Sequence, residues 1–421
     1  MKSIRPALAL AFPLAFAGVV PGALAQVQSQ VQDAPSDPVA TLVGQLDLPR
    51  YKATIKELTR FGDRRQGTER NRKALDWIEA RLKSYGCATE RVRYEYKAAP
   101  RVRPANTGGG RAGPSGQGGS TLFGTRGPIG VNGDPLLQPD ERLRKLNAEE
   151  PSPQGGPREE VFCTKVGKTR PDEMYIVAAH MDGLGYGEAA NDDASGTALV
   201  MELARILSAP GVTTERSIRF ALWNNEETGL NGAAAYVEQR KDLQGIESPK
   251  GSGRYPEPRW LGMIQHDMMM FDHGMPVAQL DASGKPVLDA KGQPLAVPPA
   301  GQRREADVNI EFQATAKQAE GAQKLAWHFR GANEKYASHY PAAVGQHMTN
   351  TDSTPFMDHV PSISLRENER GMQIGAGWNP HWHQPTDLFA NYTDDDFMLG
   401  LNAAQTTLAG VAQLAGAKIS K

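Results

Sequence analysis

His180-Met181-Asp182-Gly183-Leu184-Gly185-Tyr186-Gly187-Glu188-Ala189-Ala190-Asn191-Asp192-Asp193-Ala194-Ser195-Gly196 opens with a His-x-Asp pair and closes on two adjacent aspartates. The run before it, Met174 to Ala179, is short, apolar and β-branched enough to read as a buried strand. The run after it, Gly196 to Ala209, carries Leu199, Val200, Leu203, Ile206 and Leu207 at helical spacing. An imidazole and several carboxylates therefore occupy a Gly-rich crossing from a strand end to a helix start. In open α/β sheets ligands bind at that kind of crossing.

Working outward, the same rhythm repeats. Strands are expected over Met174 to Ala179, Ser217 to Trp223 and Trp260 to Gln265, with helices over Gly196 to Ala209 and Gly229 to Arg240. This alternation predicts an α/β fold of three layers, a mixed and mostly parallel twisted sheet with helices on both faces, in a single domain with insertions. Further helices are expected over Leu46 to Arg60, Asn71 to Tyr85, Ala314 to Ala337 and Thr393 to Leu414, the last capped by Thr393. Ala88 to Tyr96, Glu160 to Lys165 and Ser362 to Leu365 read as strands.

Each expected strand end carries chemistry. Residues two apart on a strand share a face, so His180 and Asp182 stand together, and a carboxylate beside a ligating imidazole fixes its tautomer. Ser217 to Trp223 leads into Glu226-Glu227. Two like charges this close are costly, and a bound cation relieves the cost. A solvated helix start is the plainer explanation for that pair taken alone. Trp260 to Gln265 leads into His266-Asp267, and Pro380-His381-Trp382-His383-Gln384-Pro385-Thr386-Asp387 supplies a distal imidazole. Such nitrogen and oxygen donors suit zinc, with manganese or cobalt as weaker fits.

As an ordered set, His180-x-Asp182, Ala190 to Gly196, Glu226 to Gly232, Gln265 to Met268 and His383-x-x-x-Asp387 resemble the motifs of metallopeptidase family 28, which contains secreted di-zinc aminopeptidases. The resemblance implies two Zn2+ per chain held by His180, Asp192, Glu227, Asp267 and His383, with Asp192 bridging. It implies Glu226 as general base, Asp182 orienting His180, and a cis peptide after Asp192. Asp193 competes with Asp192, and His381 with His383; the motif alignment and the four-residue step to Asp387 favour Asp192 and His383. His266 should face away from the site by strand alternation. Asp352 is read either as a substrate contact or as a turn residue. Met268 to Met270 are read as core rather than as pocket lining. The function implied is an aminopeptidase acting on peptide substrates. A carboxypeptidase or a glutaminyl cyclase on the same scaffold is the alternative, the former needing a cation such as Arg366 or Arg370 for a terminal carboxylate. A non-catalytic receptor-like domain should lack some of these ligands, and none is missing.

Composition bounds the rest. The 421 residues carry 47 Lys plus Arg against 48 Asp plus Glu, which gives no global reason to expect nucleic acid or an anionic membrane as partner. Lys2 and Arg5, an apolar run from Ala7 to Val20, and Ala23-Leu24-Ala25 form a signal-peptide pattern over 1–25. Export to the periplasm or the extracellular space is expected, without stable membrane insertion after cleavage. Residues 26–45 read as a disordered linker and 46–421 as the zinc exopeptidase domain. The latter is interrupted by a Gly/Pro-rich insertion at 98–157 and a hairpin insertion at about 277–302. Cys87 and Cys163 are the only cysteines, and an exported chain leaves them either bridged or buried as free thiols.

Overall fold

The computed structural model describes residues 37–98, 134–150, 153–271, 279–290, 292, 295, 308–348, 350–367, 379 and 381–420. In chain order these form α1 (Pro38–Val43), α2 (Leu48–Thr59), α3 (Glu69–Ser84), β1 (Ala88–Lys97), α4 (Glu141–Glu149), β2 (Gly155–Lys165), β3 (Arg170–His180) and α5 (Ala194–Leu207). There follow β4 (Val212–Thr213), β5 (Arg216–Trp223), α6 (Asn231–Arg240), β6 (Arg259–His266), β7 (Val308–Glu311), α7 (Ala319–Tyr336), β8 (Ala342–Gly345), β9 (Ser362–Arg366), α8 (Asp394–Ala415) and β10 (Lys418–Ile419).

The main sheet has eight strands in the order β1-β2-β5-β3-β6-β9-β7-β8, and β4 pairs separately with β10. The four central strands β5, β3, β6 and β9 are mutually parallel. β1 and β2 extend them in antiparallel fashion on one side, and β7 returns antiparallel beside β9 on the other. Strand pleating explains why β3 is apolar without a break from Met174 to Ala179. Val177 and Ala179 join the large core under α2, α5, α7 and α8, while Met174, Ile176 and Ala178 join the aromatic core beneath α6 with Trp223, Tyr236 and Phe356. A strand buried on both faces has no polar positions to alternate with. α8 is held at its start by a reciprocal Thr393–Asp396 capping box and stopped by Gly416 in the left-handed region at φ 67°.

Two boundaries differ from expectation. Residues 37–45, assigned by composition to the linker, contain α1. Asp37 caps this helix through the backbone amides of Val39 and Ala40, and Val39, Leu42 and Val43 bury against α8. Three apolar residues on one turn outweigh a polar average. Residues 26–36 and the signal-peptide pattern lie outside the described residues. Of the 98–157 insertion, 99–133 and 151–152 also lie outside them. In the described part α4 buries Leu143, and β2 starts at Gly155 to complete its ladder with β1. In the described part of the 277–302 segment, backbone bonds close a tight turn at Asp281 to Lys285 and join Gln279 to Leu295. β7 and β8 have no counterpart among the strands expected from the sequence. Cys87 and Cys163 form a disulfide joining the start of β1 to β2.

Candidate active site

All four parallel strands end at one edge. β3 finishes on His180, β5 runs into Asn224 to Glu227, β6 into Asp267, and β9 ends on Arg366. Here the strand ends open into a cavity of about 360 Å³. It is lined by His180, Asp192, Glu226, Glu227, Asp267 and His383, with Thr228, Gly229, Leu230, Asn350 and Trp382 completing its wall.

Asp192 is the centre of the cluster. Its Oδ1 lies 3.2 Å from His180 Nε2 and its Oδ2 lies 3.2 Å from His383 Nε2. His180 Nε2 is also 3.7 Å from Asp267 Oδ1, and His383 Nε2 is 2.8 Å from Glu227 Oε2. Donor atoms of His180, Asp192 and Glu227 lie within 4.8 Å of one another, as do those of His180, Glu226 and Asp267. The five expected ligands and Glu226 thus meet in one place.

Asp193 points elsewhere. Its carboxylate caps α5 at Gly196 N and accepts from the backbone N–H groups of His180 and Met268. The Asp192–Asp193 peptide is cis. His266 faces the opposite side of the sheet, bonded to Ala178 O and Thr407 Oγ1; burial lowers its pKa to about 4, so it is neutral. His381 contacts Thr386 and packs edge-on to Phe271 and Tyr392. Met269 and Met270 are fully buried and Met268 nearly so, and none lines the cavity.

Asp182 differs from expectation in detail. His180 Nδ1 meets the Asp182 backbone carbonyl at 3.0 Å, whereas its distance to Asp182 Oδ1 is 3.8 Å, too long for a hydrogen bond. The carboxylate instead accepts the backbone amides of Glu226 (3.1 Å) and Glu227 (3.4 Å). Asp182 therefore ties the imidazole to the Glu226–Glu227 turn, using main chain for one and side chain for the other.

The electrostatics follow from crowding. Burial opposes ionisation of Asp192, but the two imidazoles bonded to it bring its pKa down to about 2. Burial would lower His383, yet Glu227 and Asp192 raise it to about 10. Burial and the Asp192 charge raise Glu227 to about 7, against His383. Glu226 rises well above the carboxylate range through burial, opposed by His180 and reinforced by Glu227, Asp352 and Asp267. Without a cation the site has more negative charge than its imidazoles can balance.

A model of peptidase family M28 matches residues 161–401, more than half of the chain. The chain belongs to peptidase family M28. Aminopeptidase YwaD of Bacillus subtilis is 41% identical over 74 residues, which are 18% of this chain and 16% of that protein. Carboxypeptidase Q of Xenopus laevis is 32% identical over 83 residues, 20% of this chain and 18% of that protein. The chain thus matches less than a fifth of either relative's length. BSAP, a zinc aminopeptidase from Bacillus subtilis, shares the fold with a TM-score of 0.54 at 16% identity, over 88% of this chain and 95% of that one.

In this M28 peptidase the site is also held by residues outside the ligand set, of which Arg64 and Gln138 had no distinct signal in the sequence. Arg64 lies in the polar segment Asp63-Arg64-Arg65-Gln66, yet it is fully buried. Its guanidinium donates to the carbonyls of Gly62, Met181, Glu188 and Ala189. Asp387 accepts the backbone amides of Asn191 and Asp192 and the Tyr392 hydroxyl, and burial chiefly raises its pKa to about 6. Gln138, from the insertion, donates to Tyr186 O and Pro385 O, joining the two loops that carry Asp192 and His383. Asp352, read as a turn or a substrate contact, is fully buried in a turn, and neither carboxylate oxygen has a hydrogen-bond partner among the described residues. Gly185, at φ 94°, passes so close to the 383–384 backbone that a Cβ would sit 2.4 Å from His383 C. Ala189, Asn225, Leu230, Met268 and His383 itself also hold positive φ angles. Strained backbone of this kind concentrates where surrounding structure over-determines it, as at functional sites.

Proposed function

We propose that the protein is a co-catalytic two-zinc exopeptidase that removes residues from the N-terminus of peptides. One observation carries this reading: the two oxygens of a single carboxylate, Asp192, face two different imidazoles, each backed by its own acid. The donor set fits two divalent cations. His180, Asp192 and Asp267 would hold one, and His383, Asp192 and Glu227 the other. Nitrogen and carboxylate oxygen suit zinc, and the unbalanced negative charge of the cluster is what a cation would neutralise.

When bound, the ions would act as Lewis acids on the scissile carbonyl and make the attacking water more acidic. Glu226, in the cavity wall and fixed at its backbone amide by Asp182, is the base. It takes a proton from the attacking water and delivers it to the leaving amine. Burial favours protonated Glu226, so charge balance in the site must be restored before it acts as a base. The carboxylates lining the cavity would receive a cationic α-amine. No lysine or arginine is among its described lining residues, which argues against a site for a terminal carboxylate. Arg366 is buried and bonded to Asp267, outside that lining, and Arg370 lies outside the described residues.

The likeness to carboxypeptidase Q supports the second reading, cleavage from the other end. Unblocked aminoacyl substrates, N-blocked peptides and C-amidated peptides, assayed with and without chelator, separate the two. Hydrolysis of unblocked and C-amidated substrates alone, abolished by chelator, is expected; hydrolysis of N-blocked peptides that requires a free carboxylate overturns the assignment. Glu226→Ala should retain metal and lose turnover by at least about a hundredfold, as for a lost general base.

Export belongs to the same proposal. The signal-peptide pattern at 1–25 and the Cys87–Cys163 bond agree with an oxidising compartment. No helix among the described residues is long and apolar enough to cross a membrane.

A further inference from the structure

The two halves of the cluster have matching donors: one imidazole, one acid and a share of Asp192. Behind the acids they differ. Asp267 turns Oδ1 toward His180 and rests Oδ2 on Arg366 Nη2 at 3.0 Å. Arg366, at the end of β9, is 1% exposed, and its Nε lies 3.5 Å from Oε2 of Glu311, the last residue of β7. Glu311 is fully buried, so β6, β9 and β7 present a carboxylate, a guanidinium and a carboxylate in a row inside the protein. Glu227 has a different setting: its contacts are His383 and, through its amide, Asp182, with no arginine or lysine beside it among the described residues.

We infer that Arg366 is a positioning residue that makes the two metal positions unequal. This rests on the two-ion reading above. The guanidinium occupies one oxygen of Asp267, so that only the other is presented to the cluster. It also draws negative charge from the carboxylate in a place where water does not screen it. The position served by His180 and Asp267 is therefore held more weakly and stays more electron-poor than the one served by His383 and Glu227. Glu311 sets how much of the arginine's charge Asp267 receives.

The metal-free protein would be titrated with Co2+, following visible absorption and equilibrium dialysis, alongside kcat and KM for the reconstituted enzyme. Wild type should bind two Co2+ with unequal affinities. Arg366→Met should tighten the weaker position at least about tenfold, leave the tighter one unchanged, and lower kcat about 10–100-fold with little change in KM, the range seen for groups behind a metal ligand. Glu311→Gln should do the reverse to affinity, loosening the weaker position, because Asp267 then receives the arginine's charge undivided. Arg366→Lys, which keeps the charge but not the planar fork, should fall between wild type and Arg366→Met. A purely structural role would loosen binding in both variants, and that result overturns the inference. So do Co2+ affinities unchanged in both. Wild type binding a single Co2+ would instead refute the two-ion reading. Should Arg366→Met fail to fold, Arg366→Lys decides alone: a tightened weaker position supports the inference and a loosened one overturns it.

Discussion

Replacing Arg64 tests whether the ligands are held by a scaffold reaching well beyond the strand ends. Its guanidinium meets Met181 O at 2.8 Å, Glu188 O at 2.8 Å, Ala189 O at 2.8 Å and Gly62 O at 3.0 Å. Three of those carbonyls belong to the loop between His180 and Asp192. Arg64→Met keeps most of the packing volume and removes every donor. Each orphaned buried carbonyl costs about 1–3 kcal/mol, and removing one partner of a buried charge network costs about 3–5 kcal/mol. Part is recovered because a buried guanidinium no longer has to be desolvated, so a net loss of about 3 kcal/mol is expected. That is a large fraction of the roughly 5–15 kcal/mol of a whole domain. The loss should be local first. Hydrogen exchange of metal-free protein should accelerate across 181–191 before it does in α5 or α8, and metal affinity should fall about 10–100-fold. Arg64→Lys should repair little, since one ammonium cannot reach four diverging carbonyls. Wild-type exchange in 181–191 together with wild-type metal affinity in Arg64→Met would refute the argument.

Glu160 is fully buried on β2; burial raises its pKa well above the ordinary range, eased by the Asn224 amide and reinforced by Asp352 and Asp182. The folded protein keeps a proton that the unfolded chain releases above about pH 4, so this residue's contribution is intact below that pH and is lost as pH rises. Glu160→Gln should therefore gain on wild type in urea midpoints of the metal-free protein between pH 5 and 8, and parallel curves would contradict this. The disulfide closes a loop across a sequence separation of 76, and its removal in the Cys87→Ser/Cys163→Ser variant should cost about 4 kcal/mol by chain entropy. The melting temperature should drop while kcat of the folded fraction holds; an unchanged melting temperature would count against it. Gly185→Ala must displace the His383 backbone, so metal affinity should weaken more than about tenfold while the global urea midpoint moves little. An unperturbed Co2+ titration would show that the loops yield freely.

The central strands, the helices between them and the acids at their ends could be read from the chain alone. Each depends on local pattern: an apolar run that only a strand buried on two faces needs, or a polar cluster at the point where that run stops. Elements that exist only through pairing could not be read this way. β7 (Val308–Glu311) and β8 (Ala342–Gly345) are four residues each; β8 is Ala-Ala-Val-Gly, with little strand preference of its own. α1 was hidden because averaging over a polar tail conceals three apolar residues that matter only once α8 lies opposite. The ligand types were legible because metal chemistry restricts them to few side chains. Their supports were not: Arg64 and Gln138 act through backbone groups far away in the chain, and Asp387 and Arg366, though present among the sequence candidates, carried no sign of the partners they take.

Sequence alone thus determined which side chains have donor chemistry and which segments carry them to strand ends. Only the tertiary structure decided which oxygen of Asp192 faces which imidazole, that Asp182 spends its carboxylate on the Glu226–Glu227 turn, and that Asp267 is backed by an arginine while Glu227 is not. Chemical identity is a property of a residue, whereas orientation and local field are set by neighbours that only folding assembles.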